Sequence, residues 1–295
     1  MQKHTKSPPL NALRAFEAAA RLESFTAAAL ELSVTPGAVA QQIKALELWY
    51  GTELFERGAK GVHLSAVGRD VRPKFVEAFD SLSEAIQALQ VRAEPNKIRI
   101  AALPAIAQLW LSPLLPLLRG QMPELSISIT AMDTPPNLER ESFDLSIFFL
   151  EEVEGETQTI IADDLIYPVC SPDLATEIAS TESLEAANLL IDNKWEADWD
   201  HWFEACNETP ASKLRKSEFS LYSLAVEEAK NGAGVLMGHD LLVRPLLTAG
   251  VLTKPFTHDV RLDQKLVVSL AKQSANNANV REIATVLSKQ AKPKS

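Results

Sequence analysis

Cysteine is scarce in this chain, with Cys170 and Cys206 alone among 295 residues, and no apolar run is long enough to serve as an export signal or to span a bilayer. Together these absences predict a reduced, cytoplasmic setting with no membrane partner. Neither cysteine has a flanking Lys or Arg to lower its pKa, so both read as structural rather than redox-sensing. Catalytic signatures are missing too. There is no GxSxG, HExxH or Walker loop, and the histidines (His4, His63, His201, His239, His258) lack metal-ligand spacing. The segment Asn231 to Val235, NGAGV, follows a helical stretch and precedes a strand, the reverse of a dinucleotide turn, and reads as a helix C-cap. Trp195, Trp199 and Trp202 have helical spacing and read as packing, while Glu151, Glu152, Glu154 and Glu156 read as a solvated loop. No enzyme activity, metal or cofactor is expected.

What the chain does carry is concentrated between residues 24 and 57. Thr26 is placed to cap a helix whose Ala28, Ala29 and Leu32 share one side, and small alanines let a second helix cross closely. Ser33 and Val34 make the turn. Thr35 is a natural N-cap and Pro36 occupies the first helical position, where proline is favoured. Val39, Ile43 and Leu46 recur at i, i+4 and i+7 and face inward, which turns Gly37, Ala40, Gln41 and Lys44 outward. So slim a polar face suits a major groove, where Gln pairs with adenine and Lys meets guanine or phosphate. A plain αα-hairpin with a solvated face has the same local pattern. The surroundings favour the groove reader. Leu10, Leu13 and Phe16 supply a covering helix, and residues 54 to 64 read as strand, Gly-rich tip and strand, completing a winged helix-turn-helix. Arg57, Lys60 and His63 fall on or beside the tip.

Charge is divided in the same way. The net charge of −10 argues against nucleic acid, but residues 1 to 75 hold 10 basic and 7 acidic side chains, a net of +3, and the rest carries 19 against 32. A surplus of three predicts weak, salt-sensitive binding by one copy and a need for several. The means lies in residues 66 to 92, where Val71, Phe75, Ala78, Leu82, Ile86 (or Ala85) and Leu89 form an apolar stripe on a long helix. Pro73 should kink it near its start. The stripe pairs with a second copy or packs on its own C-terminal domain. Ala93 to Asn96 then form a hinge.

From Lys97 onward strands alternate with helices: Ile98 to Ala102, Leu125 to Thr130, Asp144 to Phe149, Leu189 to Ile191, Phe219 to Leu221, Val235 to Gly238 and Leu266 to Leu270 are strand candidates, with a helix from Ile106 to Arg119.

The N-terminal stretch resembles the DNA-binding domain of the LysR-type transcriptional regulators. The resemblance rests on Ser24, Phe25, Thr26, Ala28, Ala29, Leu32, Ala38, Val39, Ile43, Leu46, Glu47, Gly51, Leu54, Phe55 and Arg57 in one register, then Leu64, Ser65 and Gly68. The opening PPLNALRAFEAAARLESFT and the later VCSP are closest to the branch of the glycine-cleavage activator and the beta-lactamase regulator. Departures fall on the reading surface: Ala40 stands where the family usually has serine, Pro36 and Gly37 where glutamine then proline is common, and Gln41 where arginine often stands. Exchanging a cation for an amide weakens the charge contribution and favours adenine.

The resemblance implies an α/β protein of three parts: a winged helix-turn-helix over 1–65, a dimerisation helix over 66–92 and an effector domain over 93–295. The last would hold two α/β subdomains, like a periplasmic binding protein's, about 97–162 plus 265–295 and about 163–264, with crossings near Ile161 to Tyr167 and Val260 to Leu266. It implies DNA contacts at Thr26, Thr35, Pro36, Gln41, Lys44, Arg57 and Lys60, a dimer or tetramer on paired half-sites, and RNA polymerase as a further partner. A small effector would sit between the subdomains, touched by Leu103, Pro104 and Ala105 after the first strand, by Thr130, Phe148 and Phe149, by Ser220, Tyr222 and Ser223, and by Met237 near His239. The loop Leu103 to Ala107 offers no hydroxyl, so the expected pocket is apolar, lined by backbone amides and poor in charge. A solute-binding protein would explain only the C-terminal part and would need an export signal.

Overall fold

The protein is described from a computed structural model covering residues 8–58, 61–178, 180–185, 187–207 and 214–292. It divides into two compact units, Met1–Arg92 and Ala93–Ser295.

In the first unit, α1 (Leu10–Leu22) buries Ala12, Ala15, Phe16, Ala18, Ala19 and Ala20, so that α2 (Phe25–Glu31) and α3 (Pro36–Tyr50) pack closely against it. The cap of α2 differs from the sequence expectation. Ser24, in extended backbone, accepts the amide of Ala27 at 3.1 Å, and Thr26 is already the second residue of the helix, exposed. Only a residue still outside the helix can turn its oxygen back on the free N–H groups, and Ser24 holds that place. At α3 the expected pair is found: Thr35 Oγ1 accepts from Ala38 N at 3.2 Å, with Pro36 at the first helical position. Gly51 ends α3 at φ +66°, a left-handed conformation that favours glycine.

Strands β1 (Phe55–Gly58) and β2 (Gly61–Leu64) form the antiparallel wing, pairing Glu56 with His63 and Arg57 with Val62. Glu47 ties this wing to α3, its Oε1 accepting the amides of Leu54 and Phe55 at 2.7 and 3.1 Å. Phe55 meets the rings of Phe16 and Phe25 edge-on. Then α4 (Ala66–Ala93) runs for 28 residues, about 42 Å at 1.5 Å per residue. It continues through Pro73 as one helix. The apolar stripe divides. Val71 and Phe75 pack on the core of the first unit, whereas Leu82, Ile86 and Leu89 are exposed, Leu89 by 69%.

The second unit is built on a mixed sheet which, among the described residues, orders β4 (Ser126–Ala131), β3 (Lys97–Ala102), β5 (Leu145–Leu150), β10 (Val260–Leu270), β6 (Gln158–Val169), β9 (Val235–His239), β7 (Asn188–Asp192) and β8 (Arg215–Phe219). The flanking strands pair in parallel, β4–β3–β5 on one side and β9–β7–β8 on the other; β6 and β10 are long, antiparallel, and join the two halves. Their register shifts between Arg261 and Lys265 and again between Leu266 and Val267; β5 pairs with Lys265 to Leu270 of β10, and β9 with Ile166 to Val169 of β6. Two lobes result, joined by two crossing strands. Residues 161–167 lie in β6 and residues 260–266 in β10.

The expected strand at Phe219 to Leu221 is displaced. β8 ends at Phe219, Ser220 bends, and Leu221 stands at the N-cap position of α8 (Tyr222–Lys230). The segment Asn231 to Val235 caps α8 as expected, with Gly232 at φ +76° before β9 begins. The first lobe also carries a π-helical segment, Ile106–Leu111, that leads into α5 (Ser112–Gln121), together with α10 (Ala278–Ala291). In the second lobe lie α6 (Pro172–Ala175), α7 (Asp198–Ala205) and α9 (Asp240–Thr248).

Candidate nucleic-acid interface and effector crevice

On α3 the inward residues Val39, Ile43 and Leu46 are buried, and Pro36, Gly37, Gln41 and Lys44 stand exposed on the opposite side. Gly37 has open space where a Cβ would be, its nearest neighbour being Thr35 Oγ1 at 3.9 Å. A side chain at Gly37 would therefore meet open space among the described residues. Thr35 uses an oxygen lone pair in capping, which leaves its proton free to donate to an anion. Thr26 and His63 are exposed, and Arg57 sits in the wing ladder. Lys60 lies outside the described residues.

In the second unit the two lobes meet around Trp195, which sits on the turn between β7 and α7 rather than inside a helix. Its indole lies 3.9 Å, centroid to centroid, from the imidazole of His239, and meets Tyr222 and Phe149 edge-on at 5.0 and 6.0 Å. A cavity of about 20 Å³ beside it is lined by Leu103, Pro104 and Ala105 from one lobe and by Trp195, Ser220 and Tyr222 from the other. That is room for about one water. The crevice is thus filled by the protein's own aromatic side chains.

His239 is completely buried between two carboxylates. Nδ1 lies 2.8 Å from Asp164 Oδ1, and Nε2 is 3.0 Å from Asp198 Oδ2, close enough for an ion pair but off the line of an aligned hydrogen bond. Burial works against a charged imidazole, but Asp164 and Asp198 outweigh it and hold the pKa up to about 10. His239 is therefore an imidazolium at neutral pH, and its cation faces the indole. Asp164 also accepts from Gln264 on the second crossing strand at 2.6 Å. Tyr222 donates to Met237 O at 2.9 Å and accepts the amide of His239 at 3.0 Å, so the ring is locked. Burial raises its phenol well above the usual range. Asp192, also raised chiefly by burial, accepts the amide of Lys194, whose Nζ reaches across to Asp133 O at 3.2 Å.

Several sequence-derived effector contacts thus gather here: Leu103, Pro104, Ala105, Ser220 and Tyr222 in the lining, and Phe149 against Trp195. Four others do not. Phe148 is in the core, because neighbouring strand residues point to opposite faces and Phe149 takes the crevice side. Met237 is buried in the core of the second lobe. Thr130 is exposed on the edge strand opposite Ala101, and neither it nor Ser223 lines the cavity. The expectation of a pocket poor in charge fails as well, since Asp133, Asp192 and Lys194 line it and the His239 pair lies beneath. Trp199 and Trp202 are core residues and Trp195 packs against the main core, all three serving packing as expected, but Trp195 lies outside the helix, which starts at Asp198.

Cys170 is buried, and burial pushes its thiol up to about 11, away from thiolate chemistry. Glu151, Glu152, Glu154 and Glu156 lie exposed in a loop. Among the described residues no helix is long and apolar enough to cross a membrane.

A helix pair with an exposed slim face, a wing and a two-lobed α/β unit with a central crevice define a DNA-binding regulator with an effector-binding domain. Residues 10–69 match the family described as bacterial regulatory helix-turn-helix protein, lysR family, and residues 92–292 match the LysR substrate binding domain. The chain is 32% identical over 253 residues to the glycine cleavage system transcriptional activator of Escherichia coli K12, covering 84% of this chain and 83% of that one. It is 32% identical over 249 residues to the transcriptional activator AmpR of Rhodobacter capsulatus, covering 84% and 86%. The structure of CrgA, a LysR-type transcriptional regulator from Neisseria meningitidis, aligns over 98% of this chain and 100% of its own at 18% identity and a TM-score of 0.56. The protein belongs to the LysR family of transcriptional regulators.

Proposed function

We propose that this chain acts in the cytoplasm as a regulator rather than a catalyst, binding paired operator half-sites as a dimer that assembles further into a tetramer. The observation that carries the reading is the exposed row Pro36, Gly37, Gln41 and Lys44 on α3, opposite the buried Val39, Ile43 and Leu46. Gln41 reads a base by its amide, and Lys44, Thr26, Thr35, Arg57 and Lys60 hold phosphates. Pro36 offers an apolar contact to a thymine methyl. The exposed Leu82, Ile86 and Leu89 of α4 pair with a second copy and set two readers on successive half-sites.

A small effector binds between the lobes, against Leu103, Pro104, Ala105, Phe149, Ser220 and Tyr222. Its binding alters lobe closure and, through the spacing of the readers, the bend of the DNA presented to RNA polymerase. The test is a competition binding assay on the operator recovered by genome-wide footprinting. Gln41→Ala should lose about 1–3 kcal/mol of discrimination at one base position while folding normally. An unchanged base preference would remove Gln41 from the reading role.

A further inference from the structure

Trp195 borders two spaces at once: the filled pocket of about 20 Å³ in the crevice and a groove of about 700 Å³ bounded by Glu151, Glu204, Arg261 and Gln264. Trp195 and its neighbour Lys194 line both. Trp195 stands on the turn between β7 and α7, outside any helix or strand. The indole occupies a box shaped for a flat ring, with Phe149 and Tyr222 meeting it edge-on and His239 tilted 40° against it.

We infer that Trp195 is a gate occupying the ring position of the effector crevice, and that the effector is a planar aromatic amine whose ring displaces it. The inference rests on reading the crevice as the effector site, as proposed above. The amine follows from charge. Asp164 and Asp198 outnumber the one cation between them, and the groove leading in presents Glu151, Glu196, Glu204 and Asp263 against Lys194 and Arg261. Lys194 Nζ is engaged with a backbone carbonyl. A carboxylate on the ring would enter against that field, whereas an ammonium would follow it.

The experiment uses the full chain, wild type and Trp195→Ala, titrated calorimetrically with tryptamine and with indole-3-acetate as probes. Tryptamine should bind Trp195→Ala at least tenfold more tightly than wild type, which must first expel its own indole, and at least tenfold more tightly than indole-3-acetate does. No gain on removing the indole overturns the gate, and equal or tighter binding of indole-3-acetate overturns the amine. Circular dichroism checks the fold. If Trp195→Ala does not fold, Trp195→Phe, which leaves a smaller ring in the box, should show a smaller gain of the same kind, and its absence counts against the gate equally. Operator binding measured on the same samples separates the two readings. Protein that binds DNA without the tryptamine gain sinks this inference alone, and protein that binds tryptamine but no DNA sinks the regulatory one.

Discussion

A Cβ placed on Gly68 would lie 2.2 Å from the carbonyl oxygen of Leu54, closer than any real contact, so the first turn of α4 sits directly against the chain entering the wing. Ser65 fastens the same corner. Its hydroxyl donates to Glu53 O at 2.8 Å and accepts the amide of Gly68 at 3.0 Å. Reader, wing and long helix are locked at one point where only glycine fits.

Gly68→Ala should therefore cost about 1–3 kcal/mol or more, because backbone must give way to admit the methyl. Gly37→Ala, made where the space is open, should be neutral or stabilising by up to about 1 kcal/mol, since alanine is the better helix former. Urea unfolding of the two variants beside the wild type checks the contrast. Equal midpoints for both variants would contradict the geometry at Gly68.

The exposed end of the α4 stripe makes a second prediction. Leu82 and Leu89 expose 43% and 69% of their surface, a poor place for two leucines unless another surface covers them. Replacing both by Asp should leave the circular dichroism spectrum unchanged and raise the dimer dissociation constant at least a hundredfold in sedimentation equilibrium, at about 1.4 kcal/mol per factor of ten. Operator affinity should fall in parallel, because a single reader carries a surplus of only a few positive charges. A variant that stays dimeric would show that the helices pair elsewhere.

Capping and periodicity made the reader legible in sequence. Thr35, Pro36, Val39, Ile43 and Leu46 act within their own helix, so their chemistry is visible at short range. The Ser24 cap was missed by two positions because Ser24 and Thr26 are both competent acceptors, and only backbone conformation distinguishes them. In the crevice, local signals fail for a different reason. Asp164, Asp198 and His239 are brought together from β6, α7 and β9, and nothing near any one of them in the chain announces the other two. Phe148 and Phe149 show the same limit, since an apolar pair at a strand end leaves open which ring faces inward.

The His239 cluster carries the last prediction. With its pKa raised from 6.5 to about 10 by the two aspartates, the folded protein binds a proton more tightly than the unfolded chain does. The stabilisation is therefore fully present below pH 6.5 and is lost as pH climbs toward 10. Its full size is on the order of 5 kcal/mol, since each tenfold gain in proton affinity is worth about 1.4 kcal/mol. His239→Gln keeps one donor for Asp164 but cannot carry the charge, so it should be markedly less stable than the wild type at pH 6. The gap should narrow steadily as pH rises toward 10, when the wild-type imidazole also becomes neutral. Cys170, whose burial-raised thiol likewise makes stability fall at high pH, is present in both proteins and cancels in the comparison. Urea midpoints measured at half-unit steps from pH 6 to 10 decide the matter. A gap that stays constant across the series would mean that the two carboxylates do not keep a proton on His239.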